Sequence, residues 1–146
     1  MTDTLTTEKR SYLMSKIKGK DTKPEMIVRR YLHSHGFRYR LHVKSLPGSP
    51  DIVLKKYRTA IFINGCFWHG HENCLFSRLP KTRTEWWKIK ISKNIKRDKE
   101  KCILLHNLGW HTMTVWSCQL KSTTRKDTLE EIVFLLQKIF LEQNKI

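Results

Sequence analysis

Thr59-Ala60-Ile61-Phe62-Ile63-Asn64 decides how the rest of the chain is read. It is apolar on both faces, so it is expected at the centre of a sheet that is covered on both sides. Just upstream, Asp51-Ile52-Val53-Leu54-Lys55-Lys56 reads as a second strand, joined to the first through Tyr57-Arg58. In a hairpin closed at that pair, opposed residues have numbers summing to 115, so Asp51 faces Asn64 and Ile52 faces Ile63. Phe37-Arg38-Tyr39-Arg40-Leu41-His42 alternates apolar and polar, the pattern of a half-buried strand. Ser45-Leu46-Pro47-Gly48-Ser49-Pro50 is a loop between them.

Helices are expected outside this core. Thr22-Lys23-Pro24-Glu25 has the form of a capping box with proline in the first turn. A helix over 23–35 follows, with Val28, Leu32 and His35 on one face, Glu25 at its head and Gly36 to end it. Residues 65–83 are a long irregular segment, and such loops are usually functional. Thr84-Glu85 opens a helix to about Leu108, ended by Gly109, whose inward stripe is Ile91, Ile95, Asp98, Cys102 and Leu105 at 4-3-4-3 spacing. Trp110 to Trp116 is a fourth strand, expected beside the third. A helix from Thr128 to about Glu142, capped by Asp127 with Glu130 three residues on, closes the chain. The order is α-β-β-β-α-β-α, a small α/β sandwich around a mixed sheet. Residues 1–21 read as a basic arm with an apolar patch at Tyr12-Leu13-Met14 and Ile17 and room for one helical turn, and 22–146 as one domain.

The 146 residues carry 29 Lys and Arg against 13 acids, a formal net charge of +16. Such an excess points to a polyanion, nucleic acid first, against the alternative of a merely solvated basic surface. No run of about 18 apolar residues is present, so no membrane partner is expected. The N-terminus lacks the apolar core of a signal peptide. A cytosolic location is therefore expected, where clustered cysteines more often mean metal than disulfides.

Cys66, His71 and Cys74 give Cys-x4-His-x2-Cys, a plausible zinc spacing, and Cys118, just past the fourth strand, would complete a tetrahedron. The alternative for Cys118 is a small buried apolar residue, and Cys102 falls on the helix stripe as core. Asp51 is either a turn residue at the start of a strand or a carboxylate ligand for a hard cation such as Mg²⁺. His69 either activates water beside such a cation or serves as a further ligand or supporting donor. Phe67 and Trp68 lie in a loop with no periodic core face, and Trp86-Trp87 follow at the head of the long helix. Aromatics in basic loops stack on bases or wedge between base steps, or else pack around the knuckle, and one of the Trp86-Trp87 pair is expected in the core. Glu25 has a local reading as a capping residue, yet it heads the buried face. Asp98 interrupts an apolar stripe and is read as structural, with Arg97 or a backbone amine as partner.

Together, Pro50-Asp51-Ile52-Val53, Gly65-Cys66-Phe67-Trp68-His69, Thr82-Arg83-Thr84-Glu85-Trp86-Trp87, Lys93-Asn94 with Arg97-Asp98, Leu108-Gly109-Trp110 and Val115-Trp116-Ser117-Cys118 resemble the very-short-patch repair (Vsr) mismatch endonucleases. The resemblance runs from about Arg10 to Cys118. It implies the restriction-endonuclease-like fold, related to the Pro-Asp…Asp/Glu-x-Lys nucleases. It implies nicking of double-stranded DNA 5′ to the thymine of a T·G mismatch left by deamination of 5-methylcytosine. Mg²⁺ would be held by Asp51 and the backbone carbonyl of Ile63, with His69 as general base and Glu25 supporting the water network. Zn²⁺ would sit on Cys66, His71, Cys74 and Cys118. Phe67, Trp68 and Trp87 would form the wedge, and Met14 would press from the minor groove. A monomer is expected, bacterial and nucleoid-associated, in contact with other repair factors. Asn64 stands where the family usually has a second active-site histidine; it can orient water but not take its proton. Gly70 replaces another histidine, and the knuckle carries one extra residue before Cys74.

Overall fold

A computed structural model describes residues 21–145. The basic arm, apart from Asp21, and with it the Tyr12-Leu13-Met14 patch and Ile17, lies outside the described residues. The elements run α1 (Lys23–Ser34), β1 (Arg40–Leu41), β2 (Ile52–Leu54), β3 (Thr59–Asn64), α2 (Thr84–Asn107), β4 (His111–Trp116) and α3 (Arg125–Gln143). The expected order holds, and the sheet is mixed. Its strands lie in the order β1-β2-β3-β4, with β1, β2 and β3 antiparallel in turn and β4 parallel to β3. The double-faced apolar strand is therefore central.

Strand pleating sends alternate side chains to opposite faces. Ile52, Leu54, Ile61 and Val115 pack against Val28 and Leu32 of α1 and Leu129, Ile132 and Leu136 of α3. Ala60 and Phe62 pack on the other face against Leu105 of α2. The α2 stripe lies inward as expected, with Ile91 and Leu105 buried and Ile95, Asp98 and Cys102 half-buried. Among the described residues no helix is long and apolar enough to cross a membrane.

Three boundaries and one register differ from expectation. The hairpin pairs Ile52 with Ile61 and Leu54 with Thr59, two residues short of the expected register. Lys55–Tyr57 form a 3₁₀ turn and Arg58 follows with φ 48°, so the connection is a four-residue loop. Tyr57 is drawn into it by rings on two sides, Phe37 at 5.4 Å and Phe140 at 5.6 Å. A two-residue slip preserves facing, so Asp51 keeps its side of the sheet. β1 is two residues rather than six, because His42 turns out of the strand at φ 49°. α3 begins at Arg125, not Thr128, with Thr124 rather than Asp127 in the cap position. Its first turn is nucleated earlier by Thr124 and Arg125 amides donating to the Lys121 carbonyl.

Candidate active centre and metal knuckle

The parallel pairing of β3 with β4 builds the knuckle. Asn64 lies opposite Trp116, so the residues two beyond each, Cys66 and Cys118, leave the sheet side by side. The chain after β3 turns back on itself through His69 N–H to Gly65 O at 3.2 Å and His71 N–H to Cys66 O at 3.0 Å. Ser77 Oγ donates to the carbonyls of His71 (2.6 Å) and Cys74 (2.8 Å), which closes the segment. The donor atoms of Cys66, His71, Cys74 and Cys118 all fall within 4.8 Å of one another. A zinc ion with Zn–S near 2.3 Å needs donor separations of about 3.8 Å in a tetrahedron, so this soft donor set fits one. The His71 ring is stacked on Trp116 at 4.1 Å and 8°, which fixes its orientation. All four cysteines are free of disulfides. Although burial pushes the Cys66 thiol up, hydrogen bonds from Ser117, the Cys118 amide and His71 bring it down to about 7. Burial and the neighbouring Cys66 push the Cys118 thiol up to about 12. One thiolate forms easily and the next resists, as expected where sulfurs crowd together.

Two polar groups meet beside the knuckle. At the start of β2, Asp51 Oδ2 accepts from the Ile63 amide at 2.8 Å. Burial raises its carboxyl above the ordinary range, against the Ile63 hydrogen bond, and the Glu25 charge raises it further. Glu25 is 2% exposed and does not complete the capping box. Thr22 Oγ1 accepts from the Glu25 amide as a cap should, but the Glu25 carboxylate takes the Asp21 amide (3.2 Å) and Arg29 Nη1 (3.1 Å). His42 lies between the carboxylates, with Nε2 3.3 Å from Glu25 and Nδ1 3.9 Å from Asp51. Its Nε2 is buried and makes no hydrogen bond.

The second group gives Asp98 partners other than the expected one. Asp98 Oδ2 lies 2.7 Å from His69 Nδ1, and Oδ1 accepts from Lys101 Nζ at 3.1 Å. Arg97 is not its partner; that guanidinium donates to Asn94. Asn64, His69 and Asp98 line one groove of about 730 Å³ with Trp116 and Cys102. Gly70, at φ 60°, lets α2 close on this loop, since a Cβ there would sit 2.6 Å from Ile95 Cδ1.

Phe67, Trp68 and Trp87 form a mutual cluster, with ring centroids 5.2 to 5.8 Å apart and edge-to-face geometry. Neither tryptophan of the pair enters the core. Trp87 is half-buried in the cluster, and Trp86, 46% exposed, packs on Trp87 and under Arg83. Asn94 ties the cluster to α2 by donating to the Trp68 carbonyl at 2.8 Å. Met14 lies outside the described residues. Sequence reasoning missed His42, Arg29, Asp21 and Lys101. His42 ends the expected β1 strand, and that position was the available signal.

These features define a small α/β protein in which a knuckle bearing His69, Phe67 and Trp68 packs on α2, which supplies Asp98 to the imidazole and Trp87 to the aromatic cluster, beside a set of clustered carboxylates. Residues 2–75 match the family model described as DNA mismatch endonuclease Vsr. The chain is 49% identical to the Type II nicking enzyme V.NmeAIP of Neisseria meningitidis over 122 residues, 84% of this chain and 86% of that one. It is 49% identical to the Type II nicking enzyme V.XorIIP of Xanthomonas oryzae over 120 residues, covering 82% and 88%. It is 43% identical to the DNA mismatch endonuclease Vsr of Escherichia coli over 112 residues, covering 77% and 71%. The chain belongs to the Vsr family of DNA mismatch endonucleases.

Proposed function

We propose that this protein is a Mg²⁺-dependent DNA endonuclease that nicks the thymine strand 5′ to T in a T·G mismatch, the cut that opens very short patch repair of deaminated 5-methylcytosine. The observation that carries it is the placement of His69. Asp98 of α2 engages its Nδ1, and it stands on the same knuckle as Phe67 and Trp68, which pack on Trp87 of α2. A proton acceptor and a probe of base stacking are thereby tied to one element. The names of the relatives support cutting of one strand.

Asp51 and the Ile63 carbonyl would hold the cation. The donor set fits, because the Asp51 carboxylate is half-buried and repelled by Glu25, a conflict that a hard cation relieves. When bound, Mg²⁺ supplies charge at the phosphate and acidifies the attacking water. With Nδ1 held, His69 takes the proton at Nε2, and Asp98 stabilises the imidazolium that forms. Asn64 orients the water through its amide, and Glu25, fixed by Arg29, organises the surrounding water. Phe67, Trp68 and Trp87 wedge beside the wobble pair, which unstacks more readily than a matched pair. The arm of residues 1–21 contacts the DNA, with Met14 pressing from the minor groove. Zinc on Cys66, His71, Cys74 and Cys118 keeps the knuckle rigid, on a fold of the restriction-endonuclease-like type. With Mg²⁺, a T·G duplex should be nicked on the T strand and its matched counterpart left intact. Asp51→Ala should abolish nicking, and unchanged nicking by that variant would overturn the site.

A further inference from the structure

Lys101 belongs to the second turn from the end of α2, where a solvated lysine would be unremarked. Its side chain runs inward instead. The stem crosses Gly48 so closely that a Cβ at that position would lie 2.4 Å from Lys101 Cδ and 2.7 Å from Cγ. Gly48 sits in the loop that delivers Asp51, so the absence of a side chain there opens the path for this lysine. The ammonium lies 5.5 Å over the Phe62 ring and 3.1 Å from Asp98 Oδ1. Its charge also reaches Asp51, whose carboxyl it draws down against the raising effect of burial. Lys101 Nζ thus stands between the two polar groups of the site, one built on Asp51 and Glu25, the other on His69 and Asp98.

The charge balance there is unusual for a protein that meets DNA. Asp21, Glu25 and Asp51 gather around His42, Asp98 stands beside His69 and Lys101, and the Arg29 guanidinium is already divided between Asp21 and Glu25. Among the described residues, Lys101 has one carboxylate, Asp98, which it shares with His69. An isolated i,i+3 pair on a solvated helix contributes little and requires no glycine opposite its stem.

We propose that Lys101 is a catalytic residue whose ammonium grips the phosphate to be cut, with Asp98 holding it in place. This rests on the endonuclease reading. The test is a binding cycle without added magnesium, on whichever duplex the wild type nicks when magnesium is present. One duplex carries the natural phosphate at the cut position and the other a neutral methylphosphonate. Losing a charged hydrogen bond, the wild type should bind the methylphosphonate about tenfold more weakly. Lys101→Met should bind the two duplexes within about twofold of each other, while Lys101→Arg should retain most of the difference. Single-turnover nicking should fall in Lys101→Met and be partly restored in Lys101→Arg. Should Lys101→Met lose its fold by circular dichroism, Lys101→Gln carries the same cycle. Equal weakening in the wild type and the uncharged variant overturns the role of Lys101 while leaving the endonuclease intact. A wild type that nicks no duplex with Mg²⁺ overturns both.

Discussion

On the proposed reading, Asp51 is a single residue that trades stability for reactivity. Burial raises its carboxyl from the ordinary value of 3.8, opposed by the Ile63 amide and reinforced by Glu25. The folded protein therefore holds this proton more tightly than the unfolded chain does. The stability linked to it is present below the ordinary value and is lost as pH rises through the raised one. At neutral pH, before any cation binds, ionised Asp51 is a net cost. Asp51→Asn keeps an oxygen for the Ile63 amide and removes the charge. It should raise the melting temperature of the magnesium-free protein at pH 7 by about 2 °C while abolishing nicking. The gain should shrink as pH falls toward 4, and a variant that melts no higher than wild type at pH 7 would refute the conflict described. Asp98 gives the complementary prediction. Asp98→Asn removes the negative charge that orients and stabilises His69, so single-turnover nicking should fall about 10²-fold with duplex affinity largely kept. Equal loss of rate and affinity would instead indicate a collapsed site. In the sequence Asp98 is legible as an anomaly on an apolar stripe. Its partner is not, because helical periodicity shows which face a residue occupies and not which loop covers that face.

At the scale of elements, the knuckle is the part most legible in advance and the hairpin the least. Spacing alone brings Cys66, His71 and Cys74 together, and placing β4 beside β3 adds Cys118, because parallel strands in register end at the same level. The hairpin register depends on a turn whose geometry follows from where Tyr57 packs, a tertiary fact that local residue preferences do not contain. β1 is shortened for a related reason: His42 leaves the strand and joins Glu25 and Asp51. The knuckle carries its own prediction. With the Cys118 thiol pushed up to about 12, it stays protonated at neutral pH in the metal-free protein. Binding zinc must displace that proton, so uptake should release protons to the buffer and tighten as pH rises. Titration calorimetry in two buffers of different ionisation heat reads this directly, with one zinc per chain by elemental analysis. Uptake with no proton release, or a metal-free protein whose knuckle is unchanged, would count against the site.

Across the whole molecule, the two features proposed for recognition are distributed differently. The net charge of +16 is spread along the chain, whereas the aromatic cluster is confined to Phe67, Trp68, Trp87 and the exposed Trp86 beside it. Composition makes the first legible without any structure. The second is legible only as a suspicion, since loop aromatics also serve as packing, and the edge-to-face contacts within the cluster show that packing is part of what they do here. Charge neutralisation acts on every phosphate alike, so affinity for matched duplex should fall steeply with salt, by about 10³-fold between 50 and 200 mM if about six phosphates are contacted. Stacking beside a mismatch involves no counterion release. The ratio of T·G to matched affinity should therefore stay nearly constant over the same range. Phe67→Ala and Trp68→Ala should lower that ratio and leave the salt slope as it was, because neither removes a charge. Measuring both duplexes by fluorescence anisotropy at four salt concentrations separates the contributions. If these variants lower the two affinities by the same factor, the aromatics only hold the knuckle together, and mismatch discrimination must reside elsewhere in the chain.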